Sequence, residues 1–216
     1  MNYTQVVLFS FSIMIAAVIG LIRFNKIDPA YYPFIFCMWL AAINETISFG
    51  MVKSGCHTII NNNLYVLAEA LLITWQFKRW EFFDRHVKIF PSVLFVIIIV
   101  WFLQNIHLSS IDKIGFYFRV FYSFLIVLMS IYTINAVIMN DRGILPKNPI
   151  FLICGGYILF FTYKILVEAY WFYGINITGT FSIDVYIIFT WINLFVNILF
   201  GIAVLCIPHK PRYITF

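Results

Sequence analysis

Charge is scarce in this chain. Only 11% of its 216 residues are Asp, Glu, Lys or Arg, where a soluble domain carries about 25%. With 63% of the residues apolar, a soluble molecule of this size would expose patches large enough to aggregate, so lipid is the expected solvent. Cysteine is rarer still, with four residues. Cys37, Cys154 and Cys206 fall inside apolar runs and read as small buried hydrophobes, while Cys56 stands alone in a connection. No CxxC or Cys/His spacing occurs, so neither a metal nor a cofactor is expected. Histidine is confined to His57, His86, His107 and His209, all in connections or at helix ends. Without an i,i+4 histidine pair, HExxH or GxSxG, no catalytic residue is assigned and an enzyme is not expected. No basic stripe interleaved with aromatics is present either, which excludes nucleic acid as a partner.

What the chain does have is apolar runs. A spanning helix needs about 20 mostly apolar residues, and seven such runs can be marked: residues 4–23, 30–52, 58–77, 89–105, 114–138, 149–173 and 183–207. The third is the most polar. The connections are short and carry turn residues, such as Asn25-Lys26-Ile27-Asp28-Pro29 and Asn148-Pro149, and none suggests a second domain. The N-terminal MNYTQ has no basic region and no small-residue cleavage site follows the first run, so that run is expected to remain as a helix. The fold class is therefore an all-α integral membrane protein, with residues 1–216 as a single transmembrane domain. The stretch from Lys78 to His86 mixes charge with aromatics and is expected to lie along the membrane interface.

Orientation follows from the cations. Arg23, Lys26, Lys78, Arg79, Arg85, Lys88, Arg142, Lys147, Lys210 and Arg212 fall on one side of the seven runs, and only Lys53 and Lys113 on the other. The positive-inside rule makes the first side cytoplasmic. Seven helices then place the N-terminus outside and the C-terminus in the cytoplasm. Helices one to three and five to seven share an orientation, and Pro33–Cys37 opens helix two much as Pro149–Cys154 opens helix six. Those short matches suggest a 3+1+3 arrangement, one of the known transporter plans.

Five ionisable residues fall inside the runs: Glu45, Glu69, Arg119, Lys164 and Glu168. Charge at bilayer depth costs several kcal/mol, about 2.5–3.5 on insertion scales, and faces protein or water. Three acids and two bases nearly cancel, which suggests mutual pairing. Helical spacing adds polar companions on the same faces: Asn44 beside Glu45, Tyr65 four residues before Glu69, and Thr190, Asn193, Asn197 and Tyr186 in helix seven. In helix six, Tyr157, Lys164, Glu168 and Trp171 form one stripe. The expected site is a polar interior lined by helices two, three, five, six and seven, with helices one and four contributing little. The opposing reading is that these side chains only glue helices together, with Lys164 and Glu168 as an i,i+4 ion pair. A carboxylate is a costlier glue than Asn, which favours a functional role for the acids.

Four stretches carry a family resemblance: Asn44-Glu45, NNNLYVLAEALL at 61–72, NPIFLICGGYILFF at 148–161, and WINLFVNILFGIAVLC at 191–206. In these the chain resembles a broad group of seven-helix inner-membrane proteins of Bacteroidota. The resemblance implies a bacterial inner (cytoplasmic) membrane and a gene near a sensor histidine kinase, but it supplies no activity. The expected function is a sensing or ligand-binding bundle that takes a small polar ligand or ion and signals to a cytoplasmic or membrane protein partner. The alternatives are a small-solute transporter and an accessory subunit of a membrane complex serving secretion, motility or defence.

Overall fold

A computed structural model describes residues 3–83, 88–108, 111, 113, 115–140, 145–173 and 179–209. They are predominantly helical, with one isolated β-bridge between Ile27 and His209. The helices are α1 (Tyr3–Ser10), α2 (Ile13–Arg23), α3 (Tyr32–Lys53), α4 (Ile59–Arg79), α5 (Ile89–Phe102), α6 (Phe116–Asn140), α7 (Pro149–Tyr173) and α8 (Gly179–Cys206). Five helical segments are long and apolar enough to cross a membrane: Pro29–Lys53, Ile89–Ile106, Phe116–Met139, Pro149–Tyr170 and Ile187–Cys206. The protein is a multi-pass helical membrane protein. Two further helices are less typical. Val7–Arg23 is apolar but shorter. α4 has 21 residues, yet Asn61, Asn62, Asn63, Glu69, Thr74 and Gln76 lower its hydropathy. In lipid the backbone must satisfy its own hydrogen bonds, which only helices and closed barrels achieve. The apolar side chains of Leu8, Ile22, Phe95, Phe124 and Leu205 point out of the bundle, where acyl chains would meet them.

Local chemistry sets the helix ends. Asp28 accepts from Ala30 N at 2.8 Å just ahead of α3, with Pro29 following. Asn148 does the same before Pro149, accepting from Ile150 N at 2.9 Å and Phe151 N at 3.2 Å. Both are side-chain caps paired with a proline that fits the first turn. α3 ends on Gly55 at φ 71°, which lets Cys56 N reach back to Met51 O at 2.8 Å, a closure that needs a left-handed residue. Glu81 takes that position after α4, at φ 63°. The chain then folds Phe82 and Phe83 back onto the bundle, against Tyr132 (5.1 Å) and Phe90 (5.5 Å). Phe83 is buried, so the described part of the Lys78–His86 stretch packs against the end of the bundle. Arg85 and His86 lie outside the described residues, as do Arg142, Lys210 and Arg212.

The sequence read residues 4–23 as one helix, and the structure interrupts it between α1 and α2. Ser12 Oγ donates to Phe9 O at 2.6 Å, and the backbone tightens to i→i−3 bonds, Ser12 N to Phe9 O and Ile15 N to Ser12 O, both 3.1 Å. A serine competing for a backbone carbonyl inside a helix bends it in this way. The fourth run also departs from a plain helix. After Phe102 it widens into a π-helix over Leu103–Leu108.

Packing arranges six of the seven runs in a closed ring: α2 on α3, α3 on α4, α4 on α6, α6 on α7, α7 on α8, and α8 back on α2. α5 stands outside it, against α4 and α6. Two polar clamps hold the end of the ring that carries Arg23, Lys78 and Arg79, the basic end. The fully buried Gln76 accepts from Phe34 N at 2.8 Å and donates to Ala30 O at 2.7 Å, fastening α4 to the start of α3. Arg23 donates to Val204 O (2.7 Å), Ile207 O (3.1 Å) and Leu205 O, so its cation covers the orphan carbonyls at the C-terminus of α8. We expect Arg23→Ala to cost about 1–2 kcal/mol through loss of this cap, read as thermal unfolding in detergent. Arg23→Lys should recover only part, because an ammonium cannot span three carbonyls as a guanidinium fork does. Equal melting of Arg23→Ala and the parent would show the clamp to be idle.

Candidate functional site

All nine side chains expected at the site line one cavity of about 480 Å³ inside the ring: Asn44, Glu45, Tyr65, Glu69, Arg119, Lys164, Glu168, Asn193 and Asn197. α3, α4, α7 and α8 supply most of the wall. α6 reaches it through Arg119, and the first run adds only Ser10 and Ile13, in keeping with the small share expected of it. The interruption at Phe11–Ser12 brings α1 there. Asn197 Nδ2 donates to Ser12 Oγ at 2.8 Å, so the hydroxyl that bends the helix also fastens it to α8.

Polarity is graded along the cavity. At the end where α3 stops at Lys53 and α4 begins at Ile59, the wall is made by Ser48, Asn62, Glu45, Arg119 and Glu168. Toward the basic end it becomes Cys37, Met38, Ile73, Tyr157, Phe161 and Phe200. Aromatic packing closes that floor. Phe200 meets Phe34 at 5.4 Å and Tyr157 at 5.5 Å, and Tyr157 meets Phe77 at 6.4 Å and Phe161 at 5.9 Å. Gly156 makes the floor possible, since a Cβ there would run into the Phe200 ring.

The charges pair across helices. Lys164 Nζ lies 3.4 Å from Glu69 Oε2, linking α7 to α4. Tyr122 completes that link, donating to Glu69 Oε2 at 2.8 Å and bonding to Lys164 Nζ. Tyr65 donates to the other oxygen, Oε1, at 2.7 Å. Both carboxylate oxygens of Glu69 are thus occupied, and the ammonium sits 5.1 Å from the Tyr122 ring and 5.4 Å from each of Phe160 and Phe161. Arg119 pairs with Glu168 at 3.2 Å and reaches Asn63 Oδ1 at 3.4 Å. The i,i+4 pairing of Lys164 with Glu168 gives way to these two interhelical bridges, because each side chain finds a partner across the ring. Glu69, Lys164 and Glu168 are 6%, 8% and 8% exposed, depths at which an unpaired charge would be costly.

The amides divide between seam and cavity. Asn44 accepts from Asn61 Nδ2 at 2.8 Å, and the same amide reaches Ser48 Oγ at 3.2 Å, closing the α3–α4 seam. Asn63 donates to Ile111 O and Lys113 O, both at 2.9 Å, and holds the segment that leads into α6. Asn193 and Glu45 have no hydrogen-bond or ion-pair partner among the described residues. The hydroxyl of Tyr157 is buried and likewise unpartnered there. Thr190 is buried on α8, while the side chains of Trp171 and Tyr186 lie outside what the structure describes.

Sequence reasoning missed Tyr122 and Asn63. Tyr122 sits three residues after Arg119 on α6, so the same i,i+3 rule that grouped the other polar residues could have found it. Asn63 carried no signal beyond its neighbours Asn61 and Asn62. Among the described residues no group of His, Cys, Asp and Glu is placed to hold a metal ion. The arrangement is suited to holding a small molecule. No family model matches the chain, and neither a curated protein nor a solved structure matches it.

Proposed function

We propose that the protein is a non-enzymatic ligand-binding bundle of a bacterial inner membrane, crossing it seven times with its N-terminus outside and the basic end in the cytoplasm. It takes a small polar ligand into the cavity and passes a helix shift to a cytoplasmic or membrane partner. The observation that carries this is the convergence of nine scattered polar and charged residues on one cavity of about 480 Å³, inside the size range of small-molecule sites. Two features support an output at the basic end. α2 and α8 flank the cavity, and the Arg23 clamp and the Ile27–His209 bridge tie them together at that end. A shift of either helix reaches the surface that the positive-inside rule assigns to the cytoplasm.

A thermal-shift screen of small polar molecules on the purified protein tests the reading, with Ala41→Phe as the control. Ala41 lines the cavity, and a phenyl group there occupies part of its volume while every charged residue stays in place. A ligand at a hundredfold excess over its Kd adds about 2.7 kcal/mol of stability. We expect such a response in the parent and its loss in Ala41→Phe. A hit that stabilises both equally binds elsewhere and refutes the cavity as the site.

One observation favours a second reading, that of a transporter. The first helix is interrupted at Ser12, beside the cavity, and discontinuous helices line the substrate sites of many carriers. The ring also consists of two runs of three consecutive helices with α5 between them, the layout a 3+1+3 carrier requires. Uptake of a cavity ligand into proteoliposomes would select this reading; binding without uptake would select the sensor.

A further inference from the structure

The charges around the cavity do not balance, and the imbalance says what it holds. Five charged side chains line it: Glu45, Glu69, Arg119, Lys164 and Glu168. Two bridges, Lys164–Glu69 and Arg119–Glu168, remove four of them and leave Glu45 with neither an ion pair nor a hydrogen bond among the described residues. A lone carboxylate at membrane depth is costly, and such groups face a cavity or pair with an opposite charge. An anionic ligand would add a second negative charge beside it. The two cations that might have attracted an anion are already committed to Glu69 and Glu168.

The rest of the wall bounds the size and shape of an occupant. Glu45 and Cys37 both line the cavity and stand eight residues apart on α3 (45 minus 37), so the space extends about 12 Å along that helix at 1.5 Å per residue. That is far longer than a bare metal ion needs. At the end away from Glu45 the wall is aromatic: Tyr157, Phe161 and Phe200. Apolar surface of this kind holds the hydrocarbon part of a ligand. On the reading of the cavity as a ligand site, we infer that its occupant is an organic ammonium ion with an apolar tail. The ammonium pairs with Glu45 and is solvated by the free amide of Asn193, while the tail lies on the aromatic floor.

Three probes that share a phenylethyl group separate charge from shape: 2-phenylethylammonium, the neutral 3-phenylpropanol and the anionic 3-phenylpropionate. Binding to the full chain in nanodiscs is measured by calorimetry, in parent, Glu45→Gln and Ala41→Phe. The ammonium should bind at least tenfold tighter than the alcohol, and the carboxylate should not bind. Glu45→Gln should weaken the ammonium tenfold or more and leave the alcohol unchanged. That variant should also melt at or above the parent temperature, since the carboxylate it removes has no partner. Equal binding of the ammonium and the carboxylate, an unchanged affinity in Glu45→Gln, or stabilisation by sodium chloride with the ammonium inert would each overturn the ligand class. In those cases the cavity stands as the site provided Ala41→Phe abolishes whatever binding is seen. If every ligand tried, these three and the wider screen included, leaves Ala41→Phe and parent alike, the site itself falls and the class with it.

Discussion

Lys164→Met should cost about 3–5 kcal/mol of stability, the usual penalty for removing one partner of a buried ion pair. The loss comes less from the vanished attraction than from the carboxylate left behind. Glu69 is 6% exposed, and without the ammonium its charge is held only by the hydroxyls of Tyr65 and Tyr122. Replacing both partners, Glu69→Leu with Lys164→Met, removes the stranded charge and should recover more than half of the loss. The recovery stays incomplete because Tyr65 and Tyr122 then lack their acceptor. A double-mutant cycle in detergent or bicelles measures this directly. Additive losses from the two single substitutions would mean that α4 and α7 are not coupled through this pair.

Gly156→Ala is the second large effect. The new methyl group meets the Phe200 ring, which is buried and pinned between Phe34 and Tyr157. Overpacking of a fixed ring costs about 1–3 kcal/mol, and here it would also push α7 away from α8 and disturb the cavity floor. Trimming the ring should relieve it. Phe200→Leu in the Gly156→Ala background should melt higher than Gly156→Ala alone, although Phe200→Leu alone melts lower than the parent. If the second substitution only deepens the loss, the close approach of the two helices is not what Gly156 provides.

The helices were legible because hydrocarbon imposes length and polarity on each segment separately. α3, α6 and α7 start or stop within a few residues of the apolar runs, and the turn residues Asp28-Pro29 and Asn148-Pro149 stand just ahead of α3 and α7. The interruption at Ser12 was not legible. A serine inside an apolar run either points at lipid or bends its helix, and here Asn197, 185 residues later, holds the hydroxyl. The cavity lining was legible as a set of residues for a related reason. Each ionisable group inside a run must face inward, and all of them therefore converge.

Partnership was a different matter. Lys164 and Glu168 are one turn apart, and i,i+4 spacing made them a natural pair. Which of Glu69, Glu168 and Arg119 each one meets depends on how α4, α6 and α7 are rotated in the ring, and no local pattern carries that rotation. The sequence by itself determined that this is a helical membrane protein with its costly charges turned inward, because burial in lipid acts on every segment independently. Only the tertiary structure decided that two ion pairs cross between helices and that Glu45 has no partner among the described residues, because the neutralisation of a charge depends on which helix stands opposite.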